Sequence, residues 1–148
     1  MKGVLIVVGS IYGHTMEAAS ILASKLADAG VTNVRLYDAA STDVSLLVAE
    51  AFRFSHLVFA SATYNNGIFT PVETFVTDLA AHSLQNRTVG IIENGSWAPV
   101  SGKLLREKLA AMKNMTVLEP SVTLRSALKE NQLPEIEALA KAIAESIG

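Results

Sequence analysis

Along these 148 residues, short apolar runs alternate with longer stretches in which apolar positions recur every three or four residues. The first run, Val4-Leu5-Ile6-Val7-Val8, contains no polar residue, which is the pattern of a strand buried on both faces, and it is too short to span a membrane. The spacing predicts a first strand over about Gly3–Val8 and a first helix over about His14–Ala29, closed by Gly30 as its C-cap. A second strand over Asn33–Tyr37 precedes a helix over Val44–Phe52, with Thr42 or Asp43 as the N-cap. The third strand, Leu57–Ala60, opens into a polar loop from Ser61 to Thr70. Thr70 suits the cap of the third helix and Pro71 its first position. A fourth strand over Thr88–Ile92, a loop over Glu93–Val100 and a helix over Ser101–Met112 come next. The fifth strand covers Thr116–Leu124, and a last helix starts near Leu133 and runs close to the C-terminus.

Five strand–helix units with nearly unbroken apolar strands predict an α/β fold: a parallel sheet with helices on both faces. With right-handed crossovers, the economical arrangement is a doubly wound five-stranded sheet of order 2-1-3-4-5, built as one domain over residues 1–148. In that order the winding reverses between strands 1 and 3, and ligands bind beyond the carboxyl ends of the strands there. The loops at that end begin at Gly9, Ser61 and Glu93, and they are the loops richest in Gly, Asn, Ser and aromatic residues.

Composition narrows the range of functions. Half of the residues are hydrophobic and 18% are charged, which is enough apolar surface for an independent core. A net charge of −2 offers no basic face for nucleic acid. With no cysteine, disulfides, thiol catalysis and iron–sulfur ligation are excluded, and the expectation is a reducing, cytoplasmic setting. The N-terminal apolar run lacks a signal-peptide cleavage pattern, and neither membrane nor nucleic-acid partners are expected.

The first loop, Gly9-Ser10-Ile11-Tyr12-Gly13-His14-Thr15, joins a buried strand to a helix N-terminus. Backbone N–H groups converge on an anion in such a place, and the helix dipole favours negative charge. Ser10 and Thr15 add two hydroxyls, and no Lys or Arg is present, a donor set suited to an FMN phosphate more than to a nucleoside triphosphate. A Walker loop needs a lysine after its last glycine, and the dinucleotide fingerprint needs three glycines; neither pattern is met. In the second loop, Ser61-Ala62-Thr63-Tyr64-Asn65-Asn66-Gly67-Ile68-Phe69, hydrogen-bonding side chains sit beside Gly67, whose tolerance of positive φ would let a peptide reorient against flavin N5. Asn-Gly is equally a common surface-turn signature. The third loop, Glu93-Asn94-Gly95-Ser96-Trp97-Ala98-Pro99, holds the sole tryptophan, suited to stacking on an isoalloxazine ring, with Tyr12 and Tyr64 as weaker candidates.

Taken together, these loops resemble those of the flavodoxin family, most closely the flavodoxin-like domain of A-type flavoproteins (flavodiiron proteins). Ser10-Ile11-Tyr12-Gly13-His14-Thr15 is similar to that group's phosphate loop. Thr63-Tyr64-Asn65-Asn66-Gly67-Ile68-Phe69 resembles its ring loop, and Trp97 falls where the group has a tryptophan. The resemblance spans essentially the whole chain and implies the short-chain form, since the fifth strand has no room for the insertion of long-chain flavodoxins. It implies FMN as cofactor, contacted by Ser10, Ile11, Tyr12, Gly13, His14 and Thr15, by Thr63, Tyr64, Asn65, Asn66 and Gly67, and by Asn94, Gly95, Ser96 and Trp97. The third loop departs from the glycine-richer version of that group. The group's diiron domain has no counterpart, because His14, His56 and His82 are the only histidines and no His/Glu/Asp cluster is spaced for two metals.

The leading expectation is therefore an FMN-binding electron-transfer module that delivers electrons to a redox partner protein or to a covalently linked redox domain, with no substrate-turnover residues of its own. A small FMN-dependent NAD(P)H:quinone or flavin reductase is the enzyme alternative, and a non-redox, receiver-like interaction module a distant third. A receiver needs an acidic pair after strand 1 and an aspartate after strand 3, where this chain has Gly9-Ser10 and Ser61-Ala62. His56 and His82 flank regular elements and are expected to be solvated, and Arg87, Lys103 and Arg106 lie in the second half of a chain whose net charge is only −2.

Overall fold

The computed structural model describes residues 2–10, 13–64, 67–95, 101–124 and 132–148. Its elements in chain order are β1 (Val4–Gly9), α1 (His14–Asp28), β2 (Val34–Asp38), α2 (Val44–Arg53), β3 (His56–Tyr64), β4 (Gly67–Ile68), α3 (Thr70–Ala81), β5 (Thr88–Asn94), α4 (Ser101–Ala110), β6 (Thr116–Val117), β7 (Val122–Leu124) and α5 (Leu133–Ile147). The main sheet runs β2-β1-β3-β5-β6 with every pair parallel, and β7 also pairs with β5. This is the predicted doubly wound order, with the fifth strand divided in two.

The division has a local cause. Pro120 lies between β6 and β7, has no N–H to give to β5 and so interrupts the ladder. β3 in turn outruns its expected end at Ala60, because Ser61 and Ala62 continue the register with Glu93 and Asn94 of β5. Strand pairing uses backbone groups, so polar side chains do not end it. Thr70 is the first residue of α3 and Phe69 its cap, one position from the predicted boundary.

Alternation along the strands sorts the core into two layers. Leu5, Val7, Leu57, Phe59, Val89 and Ile91 face α2, α3 and α4, where Leu47, Phe75, Leu79 and Leu105 close on them. Val4, Ile6, Val8, Val58 and Ile92 face α1 and α5, which contribute Leu22, Leu26, Leu139 and Ile143. Burial of strands on both faces is what the unbroken apolar runs encode. No helix among the described residues is long and apolar enough to cross a membrane.

Two polar side chains have structural roles, and for His56 this corrects the expectation of a solvated ring. His56 is 7% exposed, at the amino end of β3 and away from the loops. Its ring lies between the Ser55 hydroxyl (Nδ1–Oγ 2.6 Å) and the Ser146 hydroxyl of α5 (Nε2–Oγ 3.0 Å), and burial lowers its pKa. Arg87 donates to the carbonyls of Ala51, Phe52 and Gln85, so its guanidinium satisfies the C-terminal end of α2. His82 is exposed, as expected.

Candidate functional site

At the carboxyl ends of β1, β3 and β5 the chain builds three loop bases and ties each to the next. The first rests on Gly13, whose φ of 85° lies in the left-handed region that a side chain disfavours. That turn brings the Gly13 N–H onto Ser10 Oγ at 2.9 Å and starts α1 without a side-chain cap. The N–H groups of His14, Thr15 and Met16 consequently have no acceptor among the described residues. Such N–H groups at a helix start, reinforced by the dipole, suit an anion. The two hydroxyls predicted to serve that anion are placed differently. Ser10 is half-buried at the loop, whereas Thr15 is 1% exposed and its Oγ1 accepts a bond from Asn94 Nδ2 at 3.3 Å. Thr15 therefore ties the first loop to the third.

The second loop is narrower than its sequence implied. Thr63 and Tyr64 pair antiparallel with Ile68 and Gly67, so β3 turns back as a small hairpin. Gly67 belongs to β4 and is paired with Tyr64 across the hairpin. The Phe69 N–H donates to the Ala62 carbonyl (3.1 Å) and to Ser61 Oγ (3.3 Å) at the base of the hairpin. Phe69 and Val72 pack so closely on Gly9 that a Cβ there would lie 2.6 and 2.5 Å from them, which joins the second loop to the root of the first.

The third loop leaves β5 at Asn94, which is a buried strand residue (8% exposed) and not a loop residue open to solvent. Gly95 N–H donates to the Leu124 carbonyl of β7 at 3.1 Å. At its far end, Ser101 N–H donates to Thr63 Oγ1 (3.3 Å) and Ser101 Oγ donates to the Ser61 carbonyl (3.1 Å). The Gly102 N–H donates to Glu93 Oε2 at 2.8 Å. Of the predicted contacts, Ser10, Gly13, His14, Thr15, Thr63, Gly67, Asn94 and Gly95 are thus gathered at one end of the sheet. Ile11, Tyr12, Asn65, Asn66, Ser96 and Trp97 lie outside the described residues, as does the Tyr64 side chain.

Ser61, Glu93, Ser101 and Thr123 were not singled out from the sequence, yet they carry the bonds between loops. The signal was present as polar residues set into apolar strands, Phe59-Ala60-Ser61-Ala62 and Ile91-Ile92-Glu93-Asn94. A buried hydroxyl at 0% exposure, as for Ser61 and Ser101, must find a partner. Among the described residues no group of three or more His, Asp or Glu side chains is placed to hold a metal ion.

No protein-family model matches the sequence, and sequence comparison with characterised proteins finds no match. Solved structures do match. Rubredoxin:oxygen oxidoreductase from Desulfovibrio gigas superposes with a TM-score of 0.88 at 25% identity, over 99% of this chain and 36% of that one. A flavodoxin from the domain Archaea gives 0.83 at 22% identity, over 99% of both chains. The flavodiiron protein of Giardia intestinalis gives 0.84 at 20% identity, over 99% of this chain and 38% of that one. The fold is that of flavodoxins and of flavodiiron cores, and the chain spans little more than a third of the length of the two larger proteins.

Proposed function

We propose that this chain binds FMN across the three loops and serves as an electron-transfer module. The carrying observation is the start of α1, where Gly13 turns the chain so that the N–H groups of residues 14–16 have no acceptor among the described residues, in a loop whose own sequence contains no basic residue. That donor set fits a phosphate monoester held by dipoles and hydrogen bonds. Ser10 supplies a hydroxyl at the same point, its lone pair already committed to Gly13 N–H and its proton free to donate. The hairpin of β3 and β4 and the third loop, with Trp97, provide the ring contacts. The flavin supplies the redox chemistry when bound; the protein's part is to seat and orient it.

The acceptor is proposed to be a redox domain that is covalently linked or tightly assembled. Two of the structural neighbours are proteins of which this chain matches 36% and 38%, and the net charge of −2 offers little long-range steering toward a free partner. Reconstitution tests the cofactor reading: the purified chain mixed with FMN should retain the two flavin absorption bands through gel filtration. A colourless protein peak refutes it. Transfer rates that approach the diffusion limit at low salt and fall steeply with added salt, against a basic soluble acceptor, would refute the tethered partner.

A further inference from the structure

Glu93 is the only acidic residue of β5, set beside Asn94 at the end of a strand that is otherwise apolar or small. Both of its carboxylate oxygens are committed. Oε2 accepts from the Gly102 N–H at 2.8 Å, and Oε1 accepts from the Thr123 hydroxyl at 3.0 Å. Gly102 is the second residue of α4, where a backbone N–H has no partner within the helix, and Thr123 is the middle residue of β7. One side chain thus joins the departure of the third loop, its return into α4 and the edge strand. The fit is close: a Cβ on Gly102 would stand 2.7 Å from the Glu93 carboxyl carbon and from Oε2. The Gly95 N–H, bonded to the Leu124 carbonyl at 3.1 Å, fixes the same loop base to β7.

A surface carboxylate placed only for solubility has no reason to use both oxygens in this way. One placed only to cap a helix needs no strand partner. We propose that Glu93 is a positioning residue of the flavin site: through Gly102 and Thr123 it fixes both ends of the third loop and thereby sets FMN affinity. This rests on the FMN reading above. The role is geometric, so glutamine preserves it. The Gln oxygen accepts from Gly102 N–H, and its amide donates to a Thr123 hydroxyl turned to accept. Alanine preserves neither bond.

The test uses the full chain and two readouts, the Kd for FMN and the emission of the apoprotein's sole tryptophan, Trp97, which lies in the loop between the two fixed ends. Glu93→Ala should weaken FMN binding about tenfold or more, since two bonds to a charged group are lost, and should shift the apoprotein emission. Gly102→Ala should do the same by displacing the carboxylate, while Glu93→Gln should restore both readouts to within about threefold of wild-type affinity and to the original emission. Unchanged affinity or emission in Glu93→Ala, or an equal loss in Glu93→Gln, overturns the proposal. If Glu93→Ala does not fold, Thr123→Val takes its place: a several-fold weaker Kd supports the proposal and an unchanged Kd overturns it. If the wild-type chain binds no FMN, the cofactor reading fails and takes the effect on affinity with it, while the apoprotein emission still decides whether Glu93 fixes the third loop.

Discussion

Helices α1 and α4 begin at the same end of the sheet, both after loops that follow buried strands, yet they use their first backbone N–H groups in opposite ways. At α4 the N–H of Ser101 is taken by Thr63 Oγ1 and that of Gly102 by Glu93 Oε2. At α1 the one backbone N–H that a side chain takes among the described residues is that of Gly13, which donates to Ser10 Oγ one residue before the helix, and the N–H groups of residues 14–16 have no acceptor there. A helix start can hold a loop or hold an anion, but the same N–H groups do not serve both. Here α4 holds the third loop, and α1 keeps its first N–H groups open among the described residues.

The largest effect that sharpens this contrast is a preference between ligands. If the open N–H groups of α1 meet a phosphate, FMN should bind at least about a hundredfold more tightly than riboflavin, the equivalent of two bonds to a charged group. Isothermal titration with both flavins measures the ratio, and equal affinities would erase the distinction between the two helices.

A second effect separates support from contact. Thr15→Val removes the acceptor that Asn94 Nδ2 uses across 79 residues of sequence, in a place where Thr15 is 1% exposed. It should lower unfolding free energy by about 1–2 kcal/mol in urea titrations of the apoprotein. Thr63→Val, which removes the acceptor for Ser101 N–H, should cost about 1 kcal/mol and leave the FMN-to-riboflavin ratio unchanged. A changed ratio in Thr63→Val would mean that the α4 end also senses the phosphate.

Trp97 is expected to show a smaller effect. Trp97→Ala should weaken FMN binding by about 0.5–1.5 kcal/mol beyond lost contact area, and FMN should quench the emission of this sole tryptophan. Emission that does not respond to FMN would move the stacking role to Tyr12 or Tyr64.

The smallest effect belongs to the far end of the sheet and serves as a control. Burial lowers the pKa of His56 from its ordinary value of 6.5. Above that value both folded and unfolded chains hold the ring neutral, and stability is unaffected. As pH falls below it, the unfolded chain takes up a proton that the folded chain resists, so stability declines. Unfolding free energies between about pH 7 and pH 5 should therefore fall less steeply in His56→Gln than in wild type. Flavin preference should be the same in both, because Ser55 and Ser146, its partners, lie away from the loops.

The order of strands, the two core layers and the end of the sheet where chemistry belongs were legible in the sequence. They depend on hydrophobic periodicity and on the handedness of crossovers, both of which are written locally along the chain. So was the character of the first loop, since Gly9-Ser10 and Gly13-His14-Thr15 show small and hydroxyl residues with no basic one. Tertiary structure alone decided what each polar group does. Thr15 and Asn94 meet across 79 positions, Ser61 and Ser101 across 40, and Glu93 and Thr123 across 30. A hydroxyl or carboxylate has the same appearance in sequence whether it faces a ligand or a neighbouring strand. Only packing, by burying the group and presenting a partner, assigns it one role, because a buried polar group must be satisfied where it lies.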